Sequence, residues 1–167
     1  MPEKDTIFKS NIKSQGIFNF SEFYKFCHEW LSDEAQLTII ESKYKEKLDG
    51  EAKFIDIEWV AFRKVTDYFK FEIKVTFKIL GLTSIEIQRN GKKEKANKGS
   101  VQIKVAGTLI RDYEGKFEKT GFNKFLRSIY KKWVIPSRIK EYEDKLAKDS
   151  DEFLAQAKAW LDLEGKK

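Results

Sequence analysis

The chain has one cysteine, one histidine, one methionine and two prolines in 167 residues. Each scarcity excludes something. A single thiol, Cys27, makes no intramolecular disulfide, so a disulfide-stapled scaffold is excluded and a reducing, cytoplasmic setting is the expectation. One thiol beside one imidazole falls short of the three or four ligands of a zinc site. Only nine glycines are present, and neither GxxxxGK[ST] nor GxGxxG occurs, so phosphate-cradling loops are absent. The GxSxG and HExxH patterns are missing as well. The apolar runs stop at about four residues, as in Trp59-Val60-Ala61-Phe62, far below the ~20 that span a bilayer. No apolar stretch opens the chain in the manner of a secretory signal. Arginine is also sparse: 5 of the 33 basic residues, the other 28 being lysine. Forked, bidentate recognition is therefore rare here, and point charges on flexible stems dominate.

What is present is a folded, charged chain. Hydrophobic residues make up 41% and charged residues 36%, with a net charge of +6. That length and composition suit one domain with its own core. Residues 1–18 are mixed and polar and read as a flexible arm, leaving 19–167 as a single α+β domain. Asn19 and Glu22 form a capping box before Phe20, Phe23, Tyr24, Cys27, Trp30 and Leu31, which predicts a helix over 20–34 with an aromatic buried face.

Period-two alternation then predicts an antiparallel meander of about five long strands, near 37–48, 52–65, 68–80, 83–89 and 100–112. Asp49-Gly50 and Asn90-Gly91 are hairpin signals. With Asp49-Gly50 as the loop, Tyr44 faces Ile55 and Lys43 faces Asp56. With a three-residue turn at Val65-Thr66-Asp67, Trp59 faces Ile73 and Glu58 faces Lys74. One sheet face then carries Tyr44, Ile55, Ile57, Trp59, Phe71, Ile73, Val75 and Phe77. The other carries Lys43, Lys45, Asp56, Glu58, Glu72, Lys74 and Lys78, with an apolar corner of Leu37, Ile39, Val60 and Phe62.

Two helices, near 121–133 and 137–163, close the chain. In the second, Ile139, Leu146, Phe153 and Trp160 recur every seven residues, and Asp149-Ser150-Asp151-Glu152 offers a break. The order of elements, a helix and then a curved sheet that wraps or is covered by helices, is similar to that of cystatin-like and helix-grip folds. No family motif accompanies the likeness, and no function follows from it.

Candidate chemistry is thin. Cys27 and His28 are adjacent on a helix and point about 100° apart, which makes a poor nucleophile–base pair. Asp56, Glu58 and Glu72 could do acid–base work or hold a cation, but a cross-strand ion-pair ladder with Lys43 and Lys74 explains them without chemistry. Catalytic residues, cofactor and metal are therefore expected to be none.

The clearest asymmetry is charge. Residues 89–140 hold fifteen basic and four acidic residues, whereas 141–167 hold eight acidic and five basic. Lys92, Lys93, Lys95 and Lys98 cluster at a hairpin tip, and Lys124, Arg127, Lys131 and Lys132 lie along one helix. The expectation is a non-enzymatic binding or scaffolding module that meets an anionic partner there, nucleic acid or a ribonucleoprotein first and an acidic protein surface next. One alternative is a homo-oligomeric assembly subunit joined through Leu37, Ile39, Val60, Phe62, Leu146, Phe153 and Trp160. Another is a carrier of an apolar ligand in a helix-grip-like cavity.

Overall fold

The computed structural model describes residues 3–66, 68–113 and 135–166. Their order is β1 (Glu3–Phe18), α1 (Phe20–Glu29) running into a π-helical turn (Trp30–Glu34), β2 (Thr38–Asp49), β3 (Ala52–Lys64), β4 (Phe69–Arg89), β5 (Lys92–Arg111) and α2 (Ile135–Lys166). The strands form one antiparallel sheet in the order β1-β5-β4-β3-β2. The class is α+β, as expected. The helix expected at 121–133 lies outside the described residues.

The segment expected as an arm is instead the strand β1, paired along its length with β5 from Glu3↔Arg111 to Phe18↔Asn97. Its alternation is faint because the positions on its helix side include Ser10, Ser14 and Gly16. Small side chains suit these positions because α2 lies close over β1 and β5. At Gly107, opposite Phe8, an added Cβ would stand 2.9 Å from Ser150 Oγ and 3.4 Å from Leu146 Cγ. Ser150 is buried and donates its hydroxyl hydrogen to the Leu146 carbonyl at 2.8 Å. The helix runs unbroken through Asp149 to Lys166.

Two strands are longer than the sequence suggests. β4 continues past Gly81, where φ of +65° and a shift between Leu80 and Thr83 mark a bulge rather than an end. β5 begins at Lys92, immediately after the Asn90-Gly91 turn. Both turn residues have positive φ, 54° and 76°, as a type I′ hairpin requires.

The registers keep the expected faces but slide by two residues. The β2–β3 loop is Gly50-Glu51, so Tyr44 faces Ile57 and Lys43 faces Glu58. Across β3–β4, Trp59 faces Val75 and Ile57 faces Phe77. The connection is longer than a three-residue turn, because Thr66 Oγ1 accepts the amides of Tyr68 and Phe69 at 3.1 and 3.0 Å. A slip of two leaves each side chain on its own face, which is why burial agrees with the sequence although pairing does not.

One bulge does change faces. Between Glu41 and Lys43 the β2 register shifts, so Ile39 pairs with Ala61 and Glu41 with Trp59. Leu37 is buried and Ile39 is packed against the core, not on the outer corner. Val60 and Phe62 stay outside, beside Ile40 and Thr38. Tyr44, expected on the covered face, is 48% exposed because edge strand β2 runs beyond the helices' cover.

The core fills the covered face. Trp59, Phe71, Ile73, Val75, Phe77, Ile103 and Leu109 are buried under both helices. Phe23 of α1 meets Phe77 edge-on and packs on Trp160 of α2, and Tyr142 packs on Phe69. The heptad residues Leu146 and Phe153 are fully enclosed in the monomer, and Phe26 stacks on Trp160. These side chains are taken up by the intramolecular core.

Gly107→Ala should lower unfolding free energy by about 1–3 kcal/mol through overpacking against α2, although alanine usually stabilises a strand. Ser150→Ala in the same chain should recover most of the loss. Urea unfolding of the two variants checks this, and equal stability of Gly107→Ala and wild type would contradict the close approach.

Candidate nucleic-acid interface

Helices α1 and α2 cover one face of the sheet, so the reverse is where exposed side chains gather. Strand alternation sends Lys9, Asn11, Lys13 and Gln15 of β1 to that outer face, with Ser100, Gln102, Lys104 and Ala106 of β5 and Glu72, Lys74, Thr76 and Lys78 of β4. Lys9, Lys13, Lys74, Lys78 and Lys104 are all exposed. Sequence reasoning finds Lys74 and Lys78 here but misses Lys9 and Lys13, because it takes β1 for an arm, and Lys104, which lies within the expected strand 100–112 but gains its lysine neighbours only through pairing with β1 and β4. The signal that could find them is the lysine-rich alternation of Lys9, Asn11, Lys13 and Gln15 itself.

The β3–β2 half of the outer face is different. Glu58 accepts from Lys74 Nζ at 2.8 Å, an ion pair expected from the sequence even though their backbones are diagonal rather than opposite. The hydrogen bond to Lys74 holds the Glu58 carboxyl below its ordinary range, and the same bond raises Lys74. Asp56 stands between Lys45 and Lys78 in the ladder, rather than opposite Lys43. Glu72 stands between Phe62 and Thr108. Lysine recurs at every second position of edge strand β2, at 43, 45 and 47, a pattern that discourages strand addition.

The hairpin tip extends beyond the sheet. β3 pairs with β4 only as far as Leu82, and β1 with β5 only as far as Asn97. Ile85–Arg89 and Lys92–Ala96 therefore form a two-stranded arm. Lys92, Lys93, Lys95 and Lys98 are exposed, but they do not share a face. Lys92 and Lys98 alternate with Lys93 and Lys95, so the pairs project to opposite sides of the ribbon. Lys92, Lys98 and Lys104 share one face of β5. Lys124, Arg127, Lys131 and Lys132 lie outside the described residues.

Cys27 is fully buried, and burial pushes its thiol well above the usual range, while His28 is exposed with its ring edge-on to Trp59 at 5.6 Å. The two side chains part as helix geometry requires. Among the described residues no three His, Cys, Asp or Glu side chains gather as a metal site, and no helix is long and apolar enough to cross a membrane.

The polar constellation that the sequence did not reveal is at the β2 bulge. Glu41, turned to the covered side, accepts the Tyr24 hydroxyl at 2.6 Å and the indole N–H of fully buried Trp59 at 3.1 Å on the same oxygen. It ties β2 to α1 and satisfies a donor that would otherwise be buried unpaired. No protein-family model matches the chain, and neither does any curated protein or solved structure with which it was compared.

Burial, followed by the bond to Glu41, raises Tyr24 to about 12 from an ordinary value of 10.0. The folded state thus holds the phenol proton that the unfolded chain releases. This contribution to stability is full below pH 10 and is lost as pH rises toward 12. Ultraviolet titration of wild type against Tyr24→Phe should show one phenol, absent from the variant, ionising near pH 12. A Tyr24 transition at the ordinary phenol value would contradict the clamp.

Proposed function

We propose that the protein is a non-enzymatic binding or scaffolding module for an anionic partner, with nucleic acid, free or in a ribonucleoprotein, as the first candidate. One observation carries the reading: a two-stranded arm bearing Lys92, Lys93 and Lys95 continues directly, past Lys98, into a sheet face whose exposed charges are mainly lysine. A two-stranded ribbon has the dimensions that a duplex major groove admits. Lysines on both sides of the ribbon would meet phosphates on either wall of a groove, whereas a flat acidic surface would engage one side only. Basic residues of this kind give affinity through counterion release and little sequence preference.

The assembly and carrier readings have less support. Leu146, Phe153 and Trp160 are packed in the chain's own core, and the apolar sheet face is occupied by α1 and α2.

Affinity for a short RNA and a short duplex DNA across a salt series tests the proposal. Log affinity should fall linearly with log salt concentration. Changing Lys92, Lys93, Lys95 and Lys98 together to Gln should flatten the slope by roughly 0.9 for each B-form DNA phosphate no longer neutralised. Lys124, Arg127 and Lys131 changed to Glu should weaken binding equally for every sequence tried. Absence of binding at low salt would remove nucleic acid from consideration.

A further inference from the structure

Three successive rows cross the outer face of β1, β5 and β4. Lys9, Ala106 and Lys74 are neighbours in the first, Asn11, Lys104 and Thr76 in the second, and Lys13, Gln102 and Lys78 in the third. Lysine occupies the four corners and the centre of a rectangle, and uncharged residues occupy the positions between. Strands lie about 4.8 Å apart and residues rise about 3.4 Å each, so the rectangle measures roughly 10 Å across the strands and 13 Å along them. The small Ala106 and short Asn11 and Thr76 leave a shallow depression of about 420 Å³ among Lys9, Lys74 and Lys104. Lys74 is paired with Glu58, while Lys9, Lys13, Lys78 and Lys104 form no ion pair among the described residues.

We infer that this lysine lattice is a platform for the phosphates of a nucleic-acid duplex, engaged without regard to sequence. The inference rests on the binding function proposed above and assigns that function a specific surface. Fixing these like charges on one rigid sheet face, most of them without a carboxylate, is repulsive until a polyanion supplies the counter-charge. The two ranks, Lys9 with Lys74 and Lys13 with Lys78, stand roughly 13 Å apart, close to the ~12 Å width of a B-form major groove. Each rank meets one phosphate backbone, and Lys104 lies between them. Single strands are held by stacking on aromatic side chains, and no outward position in these rows is aromatic. Nor is any of them arginine, the usual fork for guanine, so the surface positions a duplex and does not read it. The β4–β5 arm, an extension of the same two strands, follows the duplex beyond the lattice.

The test uses the full chain with Lys9, Lys13, Lys78 and Lys104 all changed to Gln, compared with the Lys92/Lys93/Lys95/Lys98 variant. The probes are a duplex DNA of about 20 bp in two unrelated sequences, a single strand of the same length, and phosphatidylserine vesicles. Wild type should prefer duplex over single strand and treat both sequences alike. The lattice variant should lose roughly 3–4 from the salt slope and at least about tenfold in affinity. If that variant melts without cooperativity, Lys9→Gln with Lys104→Gln should still remove roughly 2 from the slope. Unchanged duplex binding by a folded lattice variant, with loss in the arm variant, would overturn the lattice and leave the binding function standing. Equal affinity for single strand and duplex would overturn the duplex assignment. Binding to vesicles but to no nucleic acid would overturn both readings.

Discussion

The approach of α2 to β5 at Gly107 constrains the whole covered face of the sheet. A helix that would place Ser150 Oγ 2.9 Å from a Cβ at position 107 tolerates little beneath it. Ser10, Ser14 and Gly16 on β1 are consistent with that proximity, and the helix side of β1 therefore reads as polar in the sequence. The apolar area that holds the helices comes instead from the middle of the sheet, through Trp59, Phe71, Ile73, Val75, Phe77 and Ile103. With one face occupied in this way, alternation between the bulges sends the intervening side chains of β1, β5 and β4 to the other. The lysine surface on the reverse is thus positioned by the packing of the core.

The β2 bulge solves a related problem at the opposite edge. A strand that kept one register would place Leu37 and Ile39 on the same side as Lys43 and Lys45. One extra residue at Ser42 separates the two sets, so the apolar pair turns inward and the lysines outward. Glu41 follows the apolar pair to the covered side, where Tyr24 and Trp59 both donate to it. The same shift thus covers two apolar residues, caps a buried indole and keeps the edge strand lined with charges that deter pairing.

Legibility in the sequence follows the strength of local patterns. Helix α1, its Asn19 cap, the two-sided character of β3 and β4 and the Asn90-Gly91 turn are readable because each rests on contacts close in the chain. β1 is not, since its partner lies about a hundred residues away and its inward positions are small for the sake of α2. The extension of β4 past Gly81 is hidden because a glycine at φ +65° reads equally as a bulge or a stop. Registers differ by two because turn length, not face preference, sets them, and Gly50-Glu51 and Thr66 fix the turns through backbone detail. Of the candidate site, the Lys92–Lys98 cluster is legible as composition, while its division between two sides of a ribbon needs the strand to be seen. Lys9, Lys13 and Lys104 are visible individually but become neighbours only through pairing across β1, β5 and β4.

The choice of lysine over arginine fits this arrangement physically. Arginine gains from planar, bidentate geometry that must be aimed, and a sheet face whose side chains stand upright aims poorly at base edges sunk in a groove. Lysine needs only proximity to a phosphate, and its flexible stem accommodates the mismatch between a twisted sheet and a helical polyanion. The carboxylates of β3 reinforce the same division. Glu58 pairs with Lys74, and Asp56 stands next to Lys45 and Lys78, whereas Lys9, Lys13 and Lys104 of β1 and β5 have no carboxylate beside them in the ladder. A uniformly basic sheet would offer an anion no preferred position, whereas this one has carboxylates interleaved with lysines on its β3–β2 side and a lysine-bearing arm continuing from its end. On the proposed reading, the carboxylates of β3 and the arm together give the lysine surface a preferred axis along β5.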